Sequence, residues 1–479
     1  MESPSSTAKW AWVSAASASA LAILIAPWRL LSTDAFLALV TGREIAQHGL
    51  PRTDELAYAT HGHVWTDQQW LGQLAIYEMD HLAGLRVTLV MQALVTAVAF
   101  AITAKYALDR GASEAATLVC GVAGFGLGAT FFTLRPQLFW IVGFALLLVW
   151  LGADSRAPSK KVWWTIPMMA IWANVHGVVV MGAMFVGLRA ALGVLEGLRD
   201  RNLRWTGRNV ALGLAAAATP FCMPYARELP HYLQQINHLQ SPARQLPILE
   251  WNRVGWPSDW PFFVIFAAIT ILMVVVHWKK LSRPAFFETL VLAITGLASW
   301  QASRHLQWFG MALAAYAPLA LDATPVIREG RVLARVASAM RLIGPAVFFI
   351  LVVRLLMMKD DTLERGYSLD ALAPLSSAMA ERPTSPVAIS DVWADWALWY
   401  LPELRGRLEA DVRFELLDDA QAREMGVFLF AKPGWQKVYP EAKIVLVARK
   451  AHEALDKGIR AEPGATVVWQ DKLGTLVVR

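Results

Sequence analysis

Along the first three-quarters of the chain, apolar stretches of about twenty residues alternate with short polar connections, and each stretch has the length needed to cross a bilayer. They predict helices near Trp10–Leu31, Leu85–Leu108, Ala115–Thr133, Pro136–Leu151, Val162–Asn174, Gly177–Gly193, Val210–Cys222, Trp260–Val276, Phe286–Trp300, Leu306–Leu321 and Val336–Met357. About eleven crossings are therefore expected. Beyond Lys359 the pattern becomes that of a soluble α/β domain. Val387–Ala388–Ile389 and Ile444–Val447 read as buried strands, Trp393–Leu404 and Ala451–Ile459 as helices, and Ala465–Arg479 as a hairpin turning near Lys472–Gly474.

Composition agrees with a polytopic α-helical membrane protein: 56% of residues are hydrophobic and only 17% charged. The expected division is a membrane domain, 1–358, with outer loops 32–84 and 223–259, and a soluble domain, 359–479. The net charge of +6 is carried by alternate short loops, with Lys105 and Arg110, Arg156, Lys160 and Lys161, Arg199 to Arg208, Lys279, Lys280 and Arg283, and Arg328 to Arg335. Basic loops face the cytoplasm. The N-terminus is then cytoplasmic, while the 32–84 loop and the tail are extracytoplasmic. The basic balance thus reflects membrane topology, and no nucleic-acid partner is expected. With Lys9 the only basic residue before it, the first span reads as an uncleaved anchor. Cys120 and Cys222 both fall within expected spans, so no extracytoplasmic disulfide framework is available.

On this topology the unusual polar residues gather on the outer side. Asp34 follows the first span, Arg135 separates the third from the fourth, His176 the fifth from the sixth, and Arg304–His305 the ninth from the tenth. Asp54 and Glu250 stand in the two outer loops. Ionisable groups at membrane depth are costly and tend to line a wet cavity or pair with one another. A polar, partly cationic cleft is expected. Each residue has a plainer reading beside this one. Arg135 and Arg304 also fit snorkelling to headgroups, and Asn174 and His176 fit the capping of tight turns. Asp34 fits an N-cap for the helix Ala35–Gln47, and His61, His63 and Asp67 fit a solvated turn as well as a metal-ligand spacing. Gly124 to Gly128 reads as close helix packing.

Several segments, in order, resemble bacterial integral-membrane glycosyltransferases of the GT-C type. They are TDAFLALVTGREIAQHGLPRTDELAY, VWTDQQWLGQLAIYEM, LRPQLFWIVGF, IWANVHGVVVMG, ILEW and ASRHLQWFGMAL, with DVWADWALWYLPEL and LEADVRFELLDD in the tail. The resemblance implies transfer of a sugar from a polyprenyl-phosphate donor to an extracytoplasmic acceptor: a cell-envelope glycan, lipid or protein. Asp34 is then the catalytic base and Asp54 and Glu250 secondary acids, with Arg135, His176, Arg304 and His305 at the lipid phosphate. The implied location is the bacterial cytoplasmic membrane, with a glycan or protein partner engaged through 359–479. Ala38 and Gln68–Gln69 depart from the family pattern, which has His and a carboxylate there. Those changes remove donors a metal would use, so divalent-cation dependence stays open and no metal ligand is assigned. A noncatalytic scaffold for envelope assembly and a transporter or flippase remain as alternatives.

Overall fold

A computed structural model describes residues 12–239, 246, 249–255, 257–278, 286–322 and 331–479. Lys9, Trp10, Lys279, Lys280, Arg283 and Arg328, used above for topology, lie outside the described residues. Helices occupy all eleven apolar stretches. In chain order the helices used here are α1 (Trp12–Ile25), α2 (Thr33–His48), α3 (Trp70–Ala83), α4 (Leu85–Asp109), α5 (Glu114–Gly128), α6 (Leu138–Asp154), α7 (Thr165–Trp172), α8 (Val179–Arg199) and α9 (Leu203–Ala218). Then follow α10 (Leu229–Leu239), α11 (Trp260–Trp278), α12 (Phe286–Gln301) and α13 (Leu306–Tyr316). The helix Arg331–Leu356 closes this part.

Four of these helices are long and apolar enough to cross a membrane by length and composition. Others are shorter, because the apolar stretches contain breaks: α1 stops at Ile25, with Pro27 opening a 3-10 turn, and α7 is preceded by a 3-10 turn over Lys160–Trp164. The helix Arg331–Leu356 leaves Leu342, Ile343, Phe349 and Ile350 exposed. Water would not tolerate that row, and lipid would.

The chain divides into two compact units. The first, residues 1–27, 85–226 and 249–357, is a helical bundle. Within it α1 packs on α4 and on Arg331–Leu356, α5 on α13, and α8 on α9. The α5–α13 contact explains Gly124. Gly124 and Gly310 face each other so closely that a Cβ on either would run into the other's carbonyl. Charge in this bundle is paired: buried Asp154 is held by Arg189 at 3.1 Å and Arg208 at 2.5 Å, and buried Glu288 by Arg156 at 2.6 Å.

The second unit joins 28–84 and 227–248 to 358–479. Its sheet comprises β1 (Val387–Ile389), β2 (Ile444–Ala448), β3 (Thr466–Gln470) and β4 (Gly474–Val478), in the order β1-β2-β4-β3. β1 runs parallel to β2 and the other pairs are antiparallel, with a bulge between Val467 and Trp469. The helix Asp391–Tyr400 packs on α2. Ala388, Val445, Val447 and Val477 lie in the core beside Met425, Phe428 and Trp435.

Candidate functional site

In the first unit the structure brings four of the expected residues together around a fifth, Glu250. The sequence puts them at breaks between helices, where side chains can turn away from the bundle. Arg135 precedes α6, His176 lies between α7 and α8, and Arg304 and His305 form a 3-10 turn leading into α13. Glu250 sits in the short turn Leu249–Trp251. That turn is tied down through its backbone, since Ser303 Oγ donates to the Glu250 carbonyl at 3.1 Å and Ser303 N to the Asn252 carbonyl at 3.0 Å.

Arg135 Nη1 donates to Glu250 Oε2 at 2.7 Å, and Arg304 Nη1 lies 3.5 Å from Oε1. The Arg304 guanidinium stacks 4.2 Å above the Trp251 ring. Burial alone would raise the Glu250 carboxyl, but Arg135 and Arg304 outweigh it and hold the group below its ordinary range. Burial, with the fields of Arg304 and Arg135, pushes His176 down to about 3. Its Nδ1 accepts the Val178 N–H at 3.1 Å, so the neutral ring carries its proton on Nε2 and offers one donor there. Burial and Arg304 likewise push His305 down to about 4. The positive charge of this cluster is therefore carried by two guanidiniums, with the histidines as neutral hydrogen-bonding groups.

Asp34 and Asp54 belong to the second unit. The helix α2 starts at Thr33 with Ser32 as its N-cap, so Asp34 stands inside the first turn and is not the cap. A carboxylate there is favoured by the exposed N–H groups and the helix dipole. Thr33 and Phe36, on the same helix, contact Tyr367, and the Asp34 charge acts on Asp395, Glu415 and Tyr367. Asp54 is fully buried and engaged: it accepts from Leu56 N at 2.9 Å and Thr60 Oγ1 at 2.5 Å, and pairs with Arg413 at 2.8 Å.

Arg413 is the centre of a group that the sequence reading missed. Its guanidinium lies 4.4 Å above Trp65 and binds Asp411 at 2.5 Å. Asp395 is fully buried, with the Val412 backbone N–H beside its carboxylate. Burial, reinforced by Asp411, raises its pKa well above the usual carboxylate range. Burial also pushes Asp67 and Glu415 up to about 7. A usable signal was present: the acids in DVWADW and EADVRFE are interleaved with tryptophan, valine and phenylalanine, a spacing that takes charge into a core.

Among the described residues no group of three His, Cys, Asp or Glu side chains is arranged to hold a metal ion. His61 lies 3.8 Å from Glu55, and His63 Nδ1 is 3.0 Å from the Leu416 carbonyl oxygen. Ala38 is buried, and Gln68 donates to the Tyr232 hydroxyl at 2.9 Å. This donor set does not fit a metal centre.

Comparison with solved structures identifies the architecture. ArnT from Cupriavidus metallidurans bound to undecaprenyl phosphate is similar over 98% of each chain, with a TM-score of 0.54 and 14% identity. Its apo form matches over 93% of each chain with a TM-score of 0.50 and 14% identity. The oligosaccharyltransferase AglB of Archaeoglobus fulgidus, in complex with an inhibitory peptide and a dolichol-phosphate, matches 91% of this chain and 69% of its own, with a TM-score of 0.53 and 12% identity. The fold is GT-C-like. No protein-family model matches the sequence, and a comparison with curated proteins finds no match.

Proposed function

We propose that this chain is a glycosyltransferase of the bacterial cytoplasmic membrane. It takes a sugar from a polyprenyl-phosphate carrier and passes it to an extracytoplasmic acceptor in the cell envelope. The observation that carries this reading is the convergence of Arg135 and Arg304 on one carboxylate. The fold is also shared, over nearly the full length, with a structure bound to undecaprenyl phosphate. A guanidinium pair that holds a carboxylate also suits a phosphate, because both ligands present oxygens at the spacing of the planar fork.

In the reaction a bond forms between the acceptor oxygen and the anomeric carbon as the bond from that carbon to the carrier phosphate oxygen breaks. The electron pair stays on the phosphate, where the two arginines and the His176 Nε2–H stabilise it. The acceptor proton goes to Asp34. Asp54 pairs with Arg413 and Glu250 with Arg135, and the base is assigned to Asp34 on the resemblance of TDAFLALVTGREIAQHGLPRTDELAY to the GT-C pattern. No step is routed through a metal. The membrane part, 1–358, crosses about eleven times with the N-terminus inside, and 359–479 lies outside, where it meets a glycan or protein partner.

Analysis of lipid-linked sugars in a deletion strain tests this. A sugar-bearing polyprenyl phosphate should accumulate, and its headgroup names the donor. An unchanged lipid pool, together with an envelope defect that the Asp34→Asn chain repairs, supports the scaffold reading, which Ala38 and Gln69 favour by lacking the family's side chains.

A further inference from the structure

We infer that Glu250 is a resident anion, held by Arg135 and Arg304 until a phosphate headgroup displaces it. The inference rests on the reading of that cluster as a lipid-phosphate site. Among the described residues two guanidiniums face one carboxylate, and both histidine rings are held toward the neutral form. A phosphate entering beside Glu250 would set two anions together in a part-buried site, whereas a phosphate replacing it meets both guanidiniums.

The surroundings allow the carboxylate to leave without unfolding the turn. The Glu250 carbonyl is held by Ser303 Oγ, so the main chain stays anchored while the side chain swings out. Arg304 keeps its stacking on Trp251, which holds the guanidinium in place for the incoming ligand. Nothing covalent occurs; one oxyanion exchanges for another. In reverse, the same exchange assists product release, because the returning carboxylate takes back the arginines from the spent carrier phosphate.

The test measures binding of inorganic phosphate and of farnesyl phosphate to the full detergent-solubilised chain, in wild type and in Glu250→Gln and Glu250→Ala. A carboxylate that occupies the site about nine-tenths of the time weakens apparent affinity about tenfold, so both variants should bind about tenfold more tightly. Equal tightening for both probes assigns the exchange to the phosphate group alone, and tightening confined to farnesyl phosphate assigns it to a lipid-borne phosphate. Wild-type binding without tightening in either variant overturns the exchange and leaves the phosphate site standing. If neither probe binds any form, the phosphate-site reading falls and this inference with it. Unchanged binding with transfer lost at saturating donor would make Glu250 an acid–base group and also overturn the exchange.

Discussion

Around Glu250 two guanidiniums share one carboxylate, whereas around Arg413 one guanidinium pairs with Asp54 and Asp411 and extends its field to Asp67, Asp395 and Glu415. The first cluster sets two guanidiniums against one carboxylate among the described residues and lies in turns between helices. The second has too few cations for its acids, and part of its charge is removed by protonation. An excess of fixed cation suits an anionic ligand. An excess of buried acid suits holding and moving protons, and it makes the second cluster sensitive to pH while the first is not.

The comparison breaks most sharply at Asp34. Asp34→Asn keeps the size of the side chain in the first turn of α2 and removes the proposed proton acceptor, so transfer should fall about 100- to 10,000-fold. An assay with saturating donor checks this, with expression and thermal stability near wild type. Retained transfer would leave the acid-rich cluster without a catalytic role.

The next effect separates structure from binding. Removing Arg413 leaves Asp54 and Asp411 buried without their cation, which should destabilise the second unit by about 3–5 kcal/mol. In Arg304→Leu, Glu250 keeps Arg135, so the loss of stability should be smaller than in the Arg413 variant. The second variant should instead lose affinity for farnesyl phosphate. Hydrogen exchange over 385–479 and over the helix α13 reads the two stabilities separately. Equal losses would mean that both clusters are structural.

A further effect is a drift with pH. Asp67 and Glu415 titrate near 7 when folded and near 4 when unfolded, so across that interval the folded state binds more protons. Their contribution to stability is complete below about 4 and is lost as pH rises through 7. The midpoint for melting of the second unit should fall as pH is raised from 4 to 8, and the slope should flatten in Asp67→Asn.

Much of the bundle was legible because an apolar run of about twenty residues has few alternatives to helix, and β1 and β2 were legible from short runs of Val, Ile and Leu. Helix ends were less so: Pro27 and the turn at Lys160–Trp164 shorten helices that hydropathy alone would extend. Of the clusters, the one around Glu250 could be assembled from topology, since its members lie in loops expected on one side of the membrane. The one around Arg413 could not. Nothing local in the sequence ties Asp54 to Arg413 or Asp67 to Glu415, because those pairings depend on distant stretches folding against each other. The raised pKa of Asp395 comes from its burial, which its neighbours in sequence only hint at.

The three-stretch construction of the second unit also orders its birth on the ribosome. Residues 28–84 are made early, 227–248 midway and 358–479 last. At about 5–20 residues per second, tens of seconds separate the synthesis of Asp54 from that of the arginine that neutralises it. During that interval the early stretch has neither its counter-ion nor the β1–β2 core, so Asp54 and Asp67 remain hydrated and the stretch stays unfinished. A nascent chain halted before Arg413 should be protease-sensitive in its early stretch, and completion of the tail should protect it.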